Sequence, residues 1–416
     1  MSRPSISWAV GGAGLLASWL TSMALGADAV AGLRHDPAEY ARLAFSLLET
    51  GRLLNADGVP EVIRTPGYPV FLGLHFGVFG PRLGPVWVSH GLLHAGSALL
   101  VLHLARQLRM PEGWALGLGF SFAFYPYALH GGARLLTEPL TSFLLLGASS
   151  LLLSKSSERA LGAGALVGLC ALVRPSFSLL PFAWAAVLLW RAERRRTTLF
   201  LSGALLLMLP WSLRTTLAVG APAGLTAGGV GHNLHIASFE YRDLSRGIPA
   251  TTDYQGPAFE ESDARARAEV QLPSDSARFQ RALDQARLTR ALDEIAEHPG
   301  LYVRSTVLRI VKLWVSQSAP GLPAWAGRLS ALFCIVFLGL GVAGAVSLWP
   351  WSRDWALVLM PALYLTLLHA PLHAEARYTL PARASLLLAA GALLQRGWSS
   401  KRKAESDCTR SKDVIV

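Results

Sequence analysis

The feature that most constrains this chain is a series of apolar runs joined by short connections, many of them basic. They fall near residues 7–30, 85–105, 113–131, 138–154, 160–173, 176–190, 198–218, 325–348, 355–371 and 378–395. A helical run of about twenty apolar residues spans the hydrocarbon core of a bilayer. Hydrocarbon offers a backbone amide no partner, so a spanning segment is helical or belongs to a closed barrel. The period-2 alternation of barrel strands is missing from these runs. The sequence therefore predicts an all-α, polytopic transmembrane helical bundle of about ten spans.

Of 416 residues, 52% are apolar and 16% charged, with 38 Lys and Arg against 27 Asp and Glu. A basic balance in an oily chain is compatible with nucleic acid, with anionic lipid or with membrane topology, and the distribution favours topology. Arg106 and Arg109, Lys155 and Arg159, Arg191 with Arg194–Arg196, Arg353 and the Lys401–Lys403 region fall on one side if alternate runs cross. That side is expected to be cytoplasmic and to hold both termini, in an inner (plasma) membrane. No basic stripe interleaved with aromatics lies on a soluble module, so nucleic acid is not an expected partner. Cys170, Cys334 and Cys408 form no CxxC pair, which argues against a disulfide framework or zinc knuckle. Ala27-Asp28-Ala29 has the small-x-small form of a signal cleavage site, but the runs downstream favour an uncleaved anchor.

Four regions follow. Residues 1–219 form an N-terminal transmembrane region that includes an outer loop, 32–84. Residues 220–320 are an extracytoplasmic cap with an interfacial helix, 321–396 the C-terminal spans, and 397–416 a cytoplasmic basic tail. Within the outer loop, Tyr40, Leu43, Ala44, Leu47 and Leu48 recur at helical spacing among Glu39, Arg42 and Glu49, which predicts a helix from Pro37 to Thr50 lying on the membrane surface. Leu288, Leu292 and Ile295 predict a helix in the cap, and Arg304, Arg309 and Lys312 make Leu301–Trp314 an interfacial helix. Arg34, Arg42, Arg52, Arg64 and Arg82 lie outside against the topological trend, either touching headgroups or meeting an anionic substrate.

The ionisable residues collect at the outer ends of the runs: Asp36 and Glu39, Arg134 and Glu138, Arg174, Arg214, and Glu375 with Arg377. Charges near membrane interior are costly and need partners, so a ring of them defines a polar pocket just below the outer surface; read blandly, it is a set of structural ion pairs. More arginines than carboxylates suits a phosphate. Arg64, Arg214 and Arg377 are the expected phosphate forks. His369 and His373, four apart with Glu375 nearby, are weak candidates for a divalent cation, with Pro371 interrupting the helix between them. His90 and His94 read as packed histidines, and Gly228-Gly229-Val230-Gly231 lacks the Lys and the strand-then-helix context of a nucleotide loop. It is expected instead to be a loop that approaches a substrate closely.

His35-Asp36-Pro37-Ala38-Glu39-Tyr40 followed by Arg64-Thr65-Pro66-Gly67-Tyr68-Pro69 resembles the first outer loop of the GT-C superfamily, as found in bacterial relatives of protein mannosyltransferases and of the aminoarabinose transferase that modifies lipid A. Thr137-Glu138-Pro139, Leu172-Val173-Arg174-Pro175, Pro210-Trp211-Ser212-Leu213-Arg214, Gly228-Gly229 with Asn233-Leu234, Glu297-His298-Pro299, and Glu375-Ala376-Arg377-Tyr378 with Pro381 resemble later landmarks of that family in the same order. The resemblance covers residues 30–385 or so, and the collinear order makes it specific.

It implies a polyprenyl-phosphate sugar donor, an extracytoplasmic acceptor (lipid, glycan or protein), membrane lipids as surroundings and a basic aspartate, which here is Asp36. It further implies that Arg64, Tyr68, Arg134, Glu138, Arg174, Arg214, Arg377 and Tyr378 bind the donor phosphate and sugar, with Glu39 and Glu375 as secondary acids. A carboxylate taking the proton of an acceptor that attacks opposite the phosphate predicts inversion. Two departures bear on subfamily: Asp36 is followed by Pro37 where many relatives have an acidic pair, and the soluble C-terminal domain of some relatives is not expected after residue 396. A competing reading is a transporter or flippase of lipid-linked sugar, but that would place its polar groups at the bilayer midplane and in repeated halves, which this sequence does not do.

Overall fold

A computed structural model describes residues 3–25, 33–245, 257–315 and 324–413; the small-x-small motif at residues 27–29 lies outside them. The described residues are helical throughout, apart from turns and an isolated bridge between Leu54 and Pro60. In chain order the helices are α1 (Arg3–Leu25), α2 (His35–Thr50), α3 (Gly67–Phe79), α4 (Gly84–Gln107), α5 (Glu112–Ala123), α6 (Pro126–Gly132), α7 (Glu138–Leu153), α8 (Ser157–Val173) and α9 (Leu180–Trp190). They continue as α10 (Arg194–Val219), α11 (Val230–Ser245), α12 (Pro257–Glu269), α13 (Ala277–Glu297), α14 (Pro299–Trp314), α15 (Ala324–Ser347), α16 (Arg353–His369) and α17 (Arg383–Asp413). Short 3-10 helices, Pro175–Phe177 and Ala376–Ala382, precede α9 and α17.

The all-α class is as expected, but several boundaries differ. Among the described residues, α4 and α10 are long and apolar enough to cross a membrane, with shorter apolar helices at Gly67–Phe79, Glu138–Leu153, Pro175–Trp190 and Ala331–Ser347. The run at 113–131 breaks into α5 and α6, because Pro126 holds Tyr125 extended at ψ 109°. The outer loop contains α3, whose apolar run is only 13 residues and is punctuated by Gly73, His75 and Gly77. Helix α17 continues through the basic tail, so residue 397 is no helix boundary. The predicted surface helix is α2, ended by Gly51 in the left-handed region at φ 69°.

Helix α14 is amphipathic with its polar face inward. Arg309 is 1% exposed while Val303 is 62% and Val307 58% exposed. In water that arrangement would be inverted; it fits a helix whose outer face meets lipid. Arg309 donates to the Ala370 and Ala237 carbonyls and lies 3.5 Å from Glu240. Leu206, Leu213, Leu217, Val346 and Leu367 extend the exposed apolar surface onto α10, α15 and α16.

Helices α8 and α10 cross backbone to backbone. A Cβ on Gly164 would lie 1.9 Å from the Phe200 carbonyl oxygen, and one on Gly203 2.2 Å from that of Leu161. Gly203→Val must push the pair apart and drag Arg174, which follows α8, away from its partners. Overpacking of this kind costs about 1–3 kcal/mol or more. The expected result is a lower melting temperature and less monodisperse protein in detergent, read by thermal shift and size-exclusion chromatography.

Helices α11, α12 and α13 form the cap. Arg287 of α13 forks onto Asp263 of α12 at 2.5 and 3.1 Å, and His235 Nε2 lies 2.9 Å from Ser262 Oγ. The buried face of α13 runs through Phe279, Leu283 and Ala291, whereas Leu292, expected on that face, is 53% exposed. Asp284 accepts the backbone N–H groups of Gly229, Gly231 and His232 at 2.8–3.0 Å, placing a carboxylate on the start of α11. A Cβ on Gly231 would lie 1.9 Å from the Asp284 carbonyl oxygen. The glycine-rich segment is therefore small at Gly231 because α13 presses on it. Asp284→Ala leaves three amides without their acceptor and should loosen the cap by about 1–3 kcal/mol. Hydrogen–deuterium exchange should rise at residues 229–232 while α4 and α10 stay protected.

Candidate functional site

The chain enters α2 through His35, whose φ of 54° is unusual for a non-glycine residue. This turn sets Asp36 in the first turn of α2, where the helix N-terminus favours a negative charge. Gly67 brings the following segment of the outer loop against the end of α8: a Cβ there would lie 2.8 Å from the Leu172 carbonyl oxygen and the Val173 nitrogen. Arg64, Asp36 and Arg174 are thereby held at one rim.

Asp36 sits between two arginines. Its Oδ1 accepts from Arg64 Nη2 at 2.6 Å and its Oδ2 lies 2.9 Å from Arg377 Nη2. Arg64 also forks onto Glu39 Oε2 through Nε and Nη2, at 2.9 and 2.7 Å. Arg377 pairs with both oxygens of Glu375, at 2.6 and 3.1 Å. The Tyr378 hydroxyl donates to Glu375 Oε1 at 3.0 Å, and His373 Nε2 lies 3.4 Å from the same oxygen. The backbone N–H of His373 donates to the Asn233 carbonyl oxygen, joining the site to the cap. One continuous ion-pair chain runs Glu39, Arg64, Asp36, Arg377, Glu375.

A second pair stands beside it. Glu138, 1% exposed at the start of α7, accepts from Arg174 Nη1 at 3.0 Å, while its buried Oε2 has no partner among the described residues. The Arg174 guanidinium lies 4.7 Å from the centre of the Tyr378 ring, and the His369 ring 4.8 Å from that centre on a tilted face. Tyr378 thus links the two pairs, stacked on by a cation and bonded to a carboxylate.

Burial works against ionisation of Asp36, but Arg64 and Arg377 outweigh it and hold the carboxyl below its usual range. Glu375 behaves likewise: burial raises its pKa, while His373 and Arg377 bring it down to about 2. Both are ionised at neutral pH. Each adds stability above the unfolded carboxylate pKa of about 4 and loses that contribution as pH falls through the folded value.

The expected ring is present in part. Asp36, Glu39, Arg64, Glu138, Arg174, Glu375, Arg377 and Tyr378 come together. Tyr68 is fully buried beneath them, edge-on to Tyr40 at 5.0 Å with its hydroxyl 3.3 Å from His90 Nε2. Arg214 lies elsewhere: it donates to the Glu61 and Leu53 carbonyls, clamping the outer loop to α10. Arg134 is exposed in the turn before α7 and makes no ion pair among the described residues. The expected surplus of positive charge is also absent, since four carboxylates face three arginines and every guanidinium in the ring is paired. His90 and His94 are packed as expected, bonded to the Gly132 and Ala123 carbonyls.

His369 Nε2 and His373 Nδ1 are buried without hydrogen-bond partners, yet with Glu375 they do not bring three ligand atoms together. Among the described residues, three metal-ligating atoms converge at Glu294, Glu297 and His298, at the end of α13. Two side chains act here in ways the sequence reading did not assign. Tyr40 carries the Arg64 guanidinium 5.4 Å over its ring, and His373 supports Glu375. The spacing in α2 had placed Tyr40 on the apolar face of a surface helix.

No protein-family model matches the sequence, and no curated protein matches it. Among solved structures, the chain is similar to the archaeal oligosaccharyltransferase AglB from Archaeoglobus fulgidus in complex with an inhibitory peptide and a dolichol-phosphate. Identity is 12% and the TM-score 0.53, over 98% of this chain and 52% of that one. A second Archaeoglobus fulgidus oligosaccharyltransferase structure, tethered to an acceptor peptide containing the NVT sequon, aligns at 14% identity and TM-score 0.50, over 92% of this chain and 49% of that one. ArnT from Cupriavidus metallidurans, bound to undecaprenyl phosphate, aligns at 14% identity and TM-score 0.43, over 94% and 78%. The chain spans about half the length of the oligosaccharyltransferases it matches. At these identities the likeness establishes the fold.

Proposed function

We propose, for a chain that carries the GT-C fold, that it transfers a sugar from a polyprenyl-phosphate carrier to an acceptor hydroxyl or amine on the extracytoplasmic face of the membrane. The observation that carries this reading is Asp36, an ionised carboxylate held between Arg64 and Arg377 at the rim of a helical bundle. The dolichol-phosphate in the similar oligosaccharyltransferase supports a lipid-linked donor. About ten membrane passes with both termini cytoplasmic, in an inner (plasma) membrane, complete the reading.

The acceptor attacks the anomeric carbon from the side opposite the phosphate, and the bond from that carbon to the phosphate oxygen breaks. The phosphate leaves with the bonding electrons, Asp36 takes the acceptor's proton, and the configuration inverts. In the resting site both Asp36 oxygens are engaged by arginines and its basicity is depressed. A lipid phosphate meets no spare cation there, so it must draw one arginine away. Arg377, shared between Asp36 and Glu375, is the one we assign, because Glu375 keeps Tyr378 and His373 when it leaves, whereas Glu39 has no partner but Arg64 among the described residues. Donor binding thereby frees an Asp36 oxygen and restores its proton affinity. The buried Glu138 Oε2, without a partner among the described residues, supports a role for Glu138 in accepting from a sugar hydroxyl. A divalent cation is the other way to balance an added phosphate, and chelation with EDTA separates the two: transfer by arginine exchange survives it.

The reading is tested by incubating detergent-extracted protein with radiolabelled polyprenyl-phosphate sugars and a membrane fraction. Label should move to an acceptor. Absence of transfer from every donor, in a sample that still binds carrier lipid, would move the assignment to a lipid-linked-sugar transporter or flippase.

A further inference from the structure

Beside the ion-pair chain, on its outer side, lies a cavity of about 380 Å³ between the outer loop and the cap, within the size range of small-molecule sites. Its walls include Glu39, Glu61 and Arg64 from the loop side and His232, Gln280 and Arg287 from the cap. Arg64 belongs to this wall and also reaches Asp36 at 2.6 Å, so a molecule filling the cavity sits one side chain from the carboxylate.

The lining selects by chemistry. Its cations are already committed: Arg64 to Asp36 and Glu39, Arg287 to Asp263. Arg42, without an ion-pair partner among the described residues, lies at the exposed edge. A phosphate entering the cavity would therefore face Glu39 and Glu61 with little to neutralise it. A lipid tail would desolvate charged groups without replacing their bonds. What remains open is hydrogen-bonding capacity of both signs. Gln280 offers an amide that makes no hydrogen bond among the described residues, and Glu39 Oε1 stays free while Oε2 takes both bonds from Arg64. The ring of His232 is kept neutral, because burial pushes its pKa down to about 4. Val62 and Ile63 add a small apolar face.

We infer that this cavity is the acceptor site and that it takes an uncharged, hydroxyl-rich saccharide, not a phosphorylated lipid headgroup. The inference rests on the transferase reading for the word acceptor, while saccharide binding itself stands on the cavity alone.

The test is saturation-transfer NMR on the full chain in a detergent without a sugar headgroup, with maltose and glucose 6-phosphate as probes and inorganic phosphate as a competitor, alongside release of polyprenyl phosphate from donor. Maltose should receive saturation, glucose 6-phosphate should not, and added phosphate should leave the maltose signal unchanged. Gln280→Trp, which fills the cavity, should abolish the maltose signal, and Gln280→Ala, which keeps the fold and the space, should weaken maltose binding up to about ten-fold. Gln280→Ala leaves the ion-pair chain untouched, so donor affinity should be unaltered in that variant. Stronger transfer to glucose 6-phosphate, displacement of maltose by inorganic phosphate, or a maltose signal that survives Gln280→Trp overturns the inference whether or not donor is consumed. Maltose bound in the cavity by a protein that consumes no donor supports saccharide recognition and removes the transferase reading instead.

Discussion

Asp36→Asn is expected to lower sugar transfer by about 10²–10⁴-fold, the usual contribution of a positioned general base. Asparagine keeps one acceptor oxygen for Arg64 while its amide NH2 faces Arg377 donor to donor, so Arg377 loosens from position 36 but stays on Glu375, and the protein should remain folded. It cannot hold a proton taken from the acceptor. Because it also releases Arg377 from a full negative charge, the variant should bind polyprenyl phosphate at least as tightly as the wild type. A large loss of turnover with equal or tighter lipid binding separates a base from a structural ion pair. Near-normal turnover, read from donor consumption over time, would remove Asp36 from that role.

Arg377→Ala should have the other large effect, for opposite reasons. It removes the fork on Glu375, leaving Tyr378 and His373 to hold it, and weakens the hold on Asp36, two largely buried carboxylates. Truncating one partner of a buried, hydrogen-bonded charge pair costs about 2–5 kcal/mol. Donor affinity should fall by roughly one to three orders of magnitude. With Arg377 gone, burial is opposed by Arg64 alone, so the Asp36 pKa rises. Since the active form is ionised, the acid limb of the pH–rate profile should move to higher pH. The stability contribution of Glu375, present in the wild type from neutral pH until acid approaches about 2, should disappear at higher pH in the variant. Arg377→Lys should recover charge but not the fork, giving a partial return. An unshifted pH profile with unaltered donor affinity would contradict the arginine-exchange account.

Helix content was legible because the constraint behind it is simple: apolar runs have to satisfy their own backbone. Where boundaries went astray, local chemistry decided. Pro126 cut one predicted span in two, and Gly73, His75 and Gly77 disguised α3 as loop. The face of α13 was misjudged because the cap buries Phe279 and Leu283 against α12, a partner choice that periodicity in one helix does not contain.

The site was legible as a set of residue types at helix ends, less so as a charge balance. Counting arginines along the chain gave a surplus of cations, but Arg214 turns to two loop carbonyls, Arg134 turns outward, and Glu138 and Glu375 fold inward to neutralise the rest. Pairing is a property of three dimensions, and it reverses the inference: the resting rim is ready to exchange partners, not to receive a phosphate on open cations. His373 shows the same limit, since its spacing from His369 suggested a metal while its ring supports Glu375.

The most direct measurement places wild-type protein in liposomes with a polyprenyl-phosphate sugar and a saccharide acceptor, and follows both lipid release and the anomeric configuration of the product by NMR. The account predicts free polyprenyl phosphate in step with an inverted glycoside, both lost in Asp36→Asn. Donor that is carried across the bilayer with its sugar still attached, or a product with retained configuration, would contradict it.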